Sequence, residues 1–176
     1  MKRIHILGRK NHGKTTLIVE LVEWLAERGY RVGTIKHTHH AHELDTPGKD
    51  SHRHRLAGAQ VVGILSQTLS AVYWQPLEPR GLSDPAEGRY AEFAPHFAAC
   101  DLVLVEGDAH ATALKVEVWR QAAGSPPLAA DDPTIAAVIS DDPLELAAPV
   151  WPRRDIAATA AGILRLAGLS EPSPPH

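Results

Sequence analysis

Cysteine is nearly absent from this chain: Cys100 is the single one among 176 residues. One thiol makes no internal disulfide, so the fold depends on a buried core and the chain suits a reducing compartment. Net charge is also scarce, since 18 Lys and Arg against 21 Asp and Glu leave −3, with a pI near 6.4. That balance carries no basic footprint, so nucleic acid is not an expected partner. No apolar run is long enough to span a bilayer and no secretory signal is visible, so a cytoplasmic, soluble protein without a membrane partner is expected. Internal repeats and convincing linkers are missing too. The simplest organisation is one compact domain over residues 1–169, followed by a disordered Pro-rich tail at 170–176.

Against these absences stands one strong motif. Residues 8–15 read G-R-K-N-H-G-K-T and fit the P-loop pattern G-x-x-x-x-G-K-[ST] at every fixed position. Gly8 and Gly13 allow backbone conformations that a Cβ forbids, so successive N–H groups can turn inward around an anion. Arg9, Asn11 and His12 fill variable positions of that loop. Lys14 adds a compact positive charge for phosphate, and Thr15 offers a hydroxyl to Mg²⁺, a hard cation that takes oxygen ligands. Thr16 and the apolar residues after it open a helix whose N-terminal dipole also favours negative charge.

The flanks suit the motif. Ile4-His5-Ile6-Leu7 reads as a strand entering the loop. Residues 16–28 read as a helix with Leu17, Leu21, Trp24 and Leu25 near one face, and Gly29 stops it. Residues 31–36 form a second strand, and the helix between the two marks a parallel pair. The polar stretch 36–51 then reads as an exposed loop at the carboxyl ends of the strands, where open α/β sheets bind ligands.

Further on, 51–56 is a short helix. Strands at 60–65 and 69–74 make a hairpin with its tip at 66–68. Residues 75–88 hold three prolines and two glycines, and form either a lid or a plain surface loop. A helix is expected over 92–99, restricted by Pro95. The fully apolar strand 101–106 ends in Glu106, where a P-loop protein needs an acid for Mg²⁺ or its waters; the alternative is a solvated strand-end charge. Strands at 114–119 and 134–140 and a helix capped by Asp155 and running to about Leu166 complete an α/β fold. The class is a three-layer P-loop NTPase fold with a mostly parallel central sheet and an antiparallel hairpin extension.

With these blocks in view, the chain resembles the molybdopterin-guanine dinucleotide biosynthesis accessory protein B family, MobB. The likeness rests on residues 8–17 (GRKNHGKTTL), 35–40 (IKHTHH), 45–51 (DTPGKDS), Ala57-Gly58-Ala59 and 102–107 (LVLVEG). It covers roughly the first two thirds of the chain, and the combination is far narrower than a bare P-loop. The resemblance implies a GTP-binding adaptor with weak GTPase activity that assists attachment of GMP to molybdopterin. It also implies a homodimer that associates with the molybdenum cofactor guanylyltransferase. By the same likeness Gly13, Lys14 and Thr15 bind phosphate and Mg²⁺, Asp45 and Asp50 belong to a switch-like loop, and Glu106 is the magnesium acid. Lys36, His37, Gly48, Lys49 and Gly107 lie in the same blocks and join the candidate nucleotide contacts. The chain departs from the family where relatives commonly read E-G-F-K: here Asp108-Ala109 follows Gly107. His12 also stands where small residues are common, and the imidazole either points outward or narrows the phosphate site.

Several alternatives stay open on the residues alone. No N-K-x-D guanine reader is present, so spacing does not separate GTP from ATP. Asp141, after a late apolar strand, is either a guanine acceptor or a turn cap. Arg9 serves its own site, reaches across a dimer, or is a solvated arginine. Leu69 to Trp74 is either a strand for intersubunit pairing or an ordinary edge. His37, His39, His40, His42, His52 and His54 raise a metal-delivery GTPase as a rival. A small-molecule P-loop kinase is a second rival, although Arg80 is the only basic residue in the segment that would have to form its lid.

Overall fold

The computed structural model describes residues 1–38, 43–75 and 85–170. In chain order the elements are β1 (Arg3–Leu7), α1 (Lys14–Ala26), β2 (Val32–Lys36), α2 (Asp50–Leu56), β3 (Val61–Leu65), β4 (Ser70–Trp74), α3 (Pro85–Phe93), β5 (Leu102–Glu106), β6 (Lys115–Val118), β7 (Ile135–Ile139), β8 (Val150–Trp151) and α4 (Ile156–Leu166). Short 3₁₀ turns lie at Ala94–Phe97, Gln121–Ala123 and Leu128–Ala130. The chain divides into two compact units, residues 39–89 and the remainder, with the division inside α3. All but residue 170 of the anticipated tail lies outside the described residues.

The larger unit is built on a six-stranded sheet in the order β2-β5-β1-β6-β7-β8, parallel at every pairing. β1 and β2 are parallel, as expected, but they are not neighbours because β5 lies between them. The reason is legible in β5 itself: a strand reading Leu-Val-Leu-Val buries both faces only in the interior of a sheet. One face packs against α1 and α4. Leu17, Ile18, Leu21 and Leu25 of α1, with Ala160, Ile163 and Leu164 of α4, meet Ile4, Ile6, Leu102, Leu104, Val116 and Val118. Burying each such leucine stabilises the fold by about 1.5–3 kcal/mol. Trp24 is only half-buried, with the Arg28 guanidinium 3.8 Å from its ring centroid. Asp155 caps α4 by accepting the Ala158 N–H at 2.9 Å.

The opposite face is apolar at Val103 and Val105, which Tyr90, Phe97 and Ile35 cover. It is polar at β1 and β6. Strand alternation that sends Ile4, Ile6, Val116 and Val118 to the helices sends His5, Lys115 and Glu117 the other way. All three are buried and bonded. His5 Nε2 accepts from Arg3, so its Nδ1–H donates to the Gly107 carbonyl at 3.1 Å. Lys115 pairs with Asp132 at 3.1 Å. Each Glu117 oxygen accepts one N–H, from Leu128 at 2.8 Å and Ala129 at 2.9 Å.

In the smaller unit β3 and β4 form the expected antiparallel hairpin, in register from Val61↔Trp74 to Leu65↔Ser70, with Ser66 closing the turn onto Leu69. Two elements differ from expectation. α3 begins at Pro85, inside the stretch expected to be irregular, because proline's fixed φ suits a helix's first turn. It ends at Phe93, and Pro95 opens the 3₁₀ turn that follows, so the expected helix over 92–99 is displaced towards the N-terminus. Residues 76–84, most of the anticipated lid or loop, lie outside the described residues. β8 was not anticipated: two residues flanked by Pro149 and Pro152 carry no readable period. Among the described residues no helix is long and apolar enough to cross a membrane.

Candidate functional site

β1 ends at Leu7 and the chain turns at once into the loop before α1. Gly8 takes φ +139°, and a Cβ there would lie 2.5 Å from the Val118 carbonyl oxygen of β6. Only glycine lets the loop leave the sheet this close to its neighbour. Asn11 (φ 69°) and Gly13 (φ 93°) also take left-handed conformations, and Gly13 is the N-cap of α1. Gly13 brings no capping side chain, and the first turn of α1 holds no acid. The amides there remain donors for an anion. Thr16 follows on the exposed side of that turn.

The Lys14 ammonium lies over the loop and donates to the carbonyls of Gly8 at 2.7 Å and Arg9 at 2.9 Å. Burial holds its pKa below the usual lysine range; Glu106 opposes that shift and Lys36 adds to it. Glu106 reaches this point because β5 pairs with β1 in the register Ile6↔Glu106 and with β2 in the register Lys36↔Glu106. The Thr15 hydroxyl stands 3.0 Å from each Glu106 carboxylate oxygen. His37 donates its N–H to the Glu106 carbonyl at 3.0 Å, and Gly107 donates its own to Ile6 at 3.0 Å, so both hold the strand end in place. Beside this cluster, Ile18, Val19, Val22 and Ile35 line an apolar groove of ≈ 420 Å³ that also reaches Thr15 and Glu106.

Gly8, Arg9, Asn11, His12, Gly13, Lys14, Thr15, Thr16, Lys36, His37, Glu106 and Gly107 are therefore gathered at one end of the sheet. Asp45, Gly48, Lys49 and Asp50 belong to the smaller unit and are described by their own contacts. Asp45 Oδ1 accepts from the Thr46 N–H at 2.7 Å and the Ser51 hydroxyl at 3.1 Å. Its Oδ2 is buried with no hydrogen-bond partner among the described residues. Gly48 turns the chain at φ 81°, Lys49 is the N-cap of α2, and Asp50 is exposed and pairs with Arg53 at 3.9 Å. Of the histidine cluster, His39, His40 and His42 lie outside the described residues. Among those described, no group of three metal-ligating side chains comes together.

Asp141 lines a cleft of ≈ 780 Å³ with Arg120, Asp142, Arg154, Trp24 and Glu20. Its Oδ1 accepts the Arg154 N–H at 3.0 Å and its Oδ2 faces Arg154 Nε at 3.3 Å. Asp142 accepts the Gln121 N–H at 2.8 Å. The two acids thus tie the loops after β6, β7 and β8 together. The departure at 108–109 has a structural role: Asp108, at φ 65°, is buried and accepts the Tyr90 hydroxyl at 2.7 Å, while the Ala109 carbonyl accepts from Lys115 at 3.2 Å.

Sequence reasoning passed over Arg120, Trp119 and Ser125. They lie after β6 and make direct contacts with the P-loop residues Asn11 and His12. The only signal was a Trp-Arg pair closing an apolar strand, which no spacing rule connects to residue 12.

Comparison with known proteins agrees with this geometry. The family model described as molybdopterin guanine dinucleotide synthesis protein B, MobB, matches residues 3–141. The chain is 38% identical over 135 residues to the molybdopterin-guanine dinucleotide biosynthesis adapter protein of Escherichia coli (strain K12), a match covering 76% of this chain and 75% of that protein. The protein of the same description from Haemophilus influenzae is 35% identical over 141 residues, 80% of this chain and 75% of its own. Among solved structures, the MobB protein homolog from Bacillus stearothermophilus aligns with a TM-score of 0.62 at 27% identity, covering 96% of this chain and 99% of that one. Bacillus subtilis MobB aligns at 0.68 with 23% identity over 94% and 98%, a likeness of fold. With the family match spanning residues 3–141 and two relatives more than a third identical over at least three quarters of both chains, this chain belongs to the MobB family.

Proposed function

We propose that the chain binds GTP with Mg²⁺ at its P-loop and acts as an adaptor when GMP is attached to molybdopterin, in partnership with the molybdenum cofactor guanylyltransferase. The observation that carries this reading is the joining of the Lys14 cradle to the Thr15–Glu106 contact at one sheet end. Family membership supplies the pathway. The relatives' names describe adapters in molybdopterin-guanine dinucleotide biosynthesis, and a cytoplasmic setting follows from that role.

The donor set suits the metal. A hydroxyl and a carboxylate within 3.0 Å of one another are hard oxygen ligands of the kind Mg²⁺ takes beside phosphate oxygens and water. When bound, Mg²⁺ neutralises charge on the β- and γ-phosphates. The chain's own part is to position: the loop amides and Lys14 would hold the phosphate oxygens, and Thr15 and Glu106 would hold the metal or its waters. Asp45, with one buried carboxylate oxygen unpaired, and Asp50 supply the switch-side acids in this reading. In this reading Asp141, in the cleft lined by Arg120 and Arg154, would accept from the guanine edge by giving up its pairing with Arg154. Slow hydrolysis suits a site whose residues act by positioning. The chain works as a homodimer, with β4 as the pairing strand.

The test is reconstitution. Adding this chain to guanylyltransferase, molybdopterin, Mg²⁺ and GTP should raise dinucleotide formation, and Lys14→Ala should remove the gain. Unchanged product formation, with GTP binding intact, would overturn the adaptor reading.

A further inference from the structure

Within the P-loop, His12 differs from its neighbours: Arg9, Lys10 and Asn11 are exposed, whereas His12 is 2% exposed. Its ring is turned into the protein. Nδ1 accepts the Arg120 N–H at 3.1 Å, which makes the imidazole the neutral Nε2–H tautomer. That Nε2–H then donates to the Ser125 hydroxyl at 2.7 Å. Trp119 covers the ring with centroids 6.5 Å apart, and its indole N–H donates to the Ser125 carbonyl at 2.7 Å. One residue earlier, the Arg120 guanidinium donates through Nε to the Asn11 carbonyl at 2.8 Å and through Nη2 to the same oxygen.

Two consecutive P-loop residues are thus fastened to the loop after β6. They lie in a turn whose backbone is left-handed on both sides of His12, at Asn11 (φ 69°) and Gly13 (φ 93°). A left-handed Asn persists when its surroundings over-determine it. We propose that His12 is a positioning residue for the polyphosphate: its neutral imidazole, clamped between the Ser125 hydroxyl and the Arg120 main chain, holds the Asn11–Gly13 turn with its amides toward the ligand. The inference rests on the nucleotide reading above and adds a means by which the loop after β6 governs phosphate affinity.

Neutrality is essential to the clamp. An imidazolium has no acceptor, so protonation would set Nδ1–H against the Arg120 N–H. The charged groups facing the ring are Lys14 of α1, Arg120 after β6 and Arg9 of the loop, all cationic. Burial, and then these three cations, hold the imidazole below its ordinary value of 6.5.

The experiment is calorimetry on the full chain with Mg²⁺ and the non-hydrolysable imido analogues of GTP and ATP at about pH 8, where the imidazole is neutral. There His12→Ala should bind about tenfold more weakly, the worth of one or two buried hydrogen bonds. His12→Asn, whose carboxamide oxygen can accept the Arg120 N–H and does not titrate, should recover most of the affinity. Nitrogen-15 shifts of the imidazole should report the Nε2–H tautomer. If His12→Ala does not fold, Ser125→Ala, which removes the Nε2 partner, makes the same comparison. Wild-type affinity retained in His12→Ala (or, failing that, in Ser125→Ala), or imidazole shifts of the Nδ1–H tautomer, would overturn the inference alone. A wild type that binds neither analogue at pH 8 would overturn the nucleotide reading and this inference with it.

Discussion

Gly8→Ala perturbs the loop where it leaves the sheet. The substituted Cβ would lie 2.5 Å from the Val118 carbonyl oxygen, a main-chain atom of a central strand that cannot swing aside. It would also impose an L side chain on φ +139°. The conformational strain is about 1–3 kcal/mol, and forcing an atom into a filled space adds about 1–3 kcal/mol. For a chain of this length the sum corresponds to a fall in Tm on the order of 10 °C. Gly29→Ala is the matched control: its φ is +83° with nothing within 4 Å of the new Cβ, so only the first contribution applies. Thermal unfolding of both variants separates the two effects. Because the Gly8 carbonyl accepts from Lys14 at 2.7 Å, triphosphate affinity should fall along with Tm in the Gly8 variant only. A Gly8→Ala protein no less stable than Gly29→Ala would refute the steric argument.

The acidic end of the site should respond differently from the cradle. Thr15→Val and Glu106→Gln should each lower the Mg²⁺-dependent part of triphosphate affinity roughly tenfold, on the scale of a hydrogen bond to a charged group, and leave metal-free binding nearly unchanged in a titration with and without chelator. Glu117→Gln should destabilise the fold by about 1–3 kcal/mol in denaturant melts, because a carboxamide turns an N–H toward the Leu128 or Ala129 donor that Glu117 now accepts. Asp101 should contribute to acid stability. Hydrogen bonds from Arg31 hold its carboxyl down to about 2 from 3.8, so its contribution is complete above pH 3.8 and is lost as pH falls through about 2. Acid unfolding of Asp101→Asn should lack that component, and because the pair is exposed, high salt should shrink the difference.

Much of the architecture was written in local pattern. The P-loop spacing, the apolar face of α1, the four-residue apolar run of β5 and the Asp155 cap are all short-range signals, and each has its counterpart in the structure. The strand-end position of Glu106 was legible for the same reason. What eluded the sequence depends on neighbours across the sheet. The apolar run of β5 marks it as an interior strand, but that β1 and β2 are the strands flanking it is a topological choice that no single segment encodes. β8 owes its existence to pairing with β7 at Val138↔Val150 and Ile139↔Trp151, and two residues have no period to read. His5 was read as part of an apolar run, which was correct for burial but silent about its bonds to Arg3 and Gly107. The direction of the His12 ring was undecidable beforehand because its partners, Arg120 and Ser125, are more than a hundred residues away.

The proposed function requires a phosphate cradle that prefers a guanine triphosphate with Mg²⁺. Calorimetric titration of the folded chain with GTP and with ATP, each with and without Mg²⁺, tests it most directly. Binding of GTP that is tighter than that of ATP and strengthened by Mg²⁺ is the predicted result; no heat from either nucleotide, or binding indifferent to both base and metal, would contradict it.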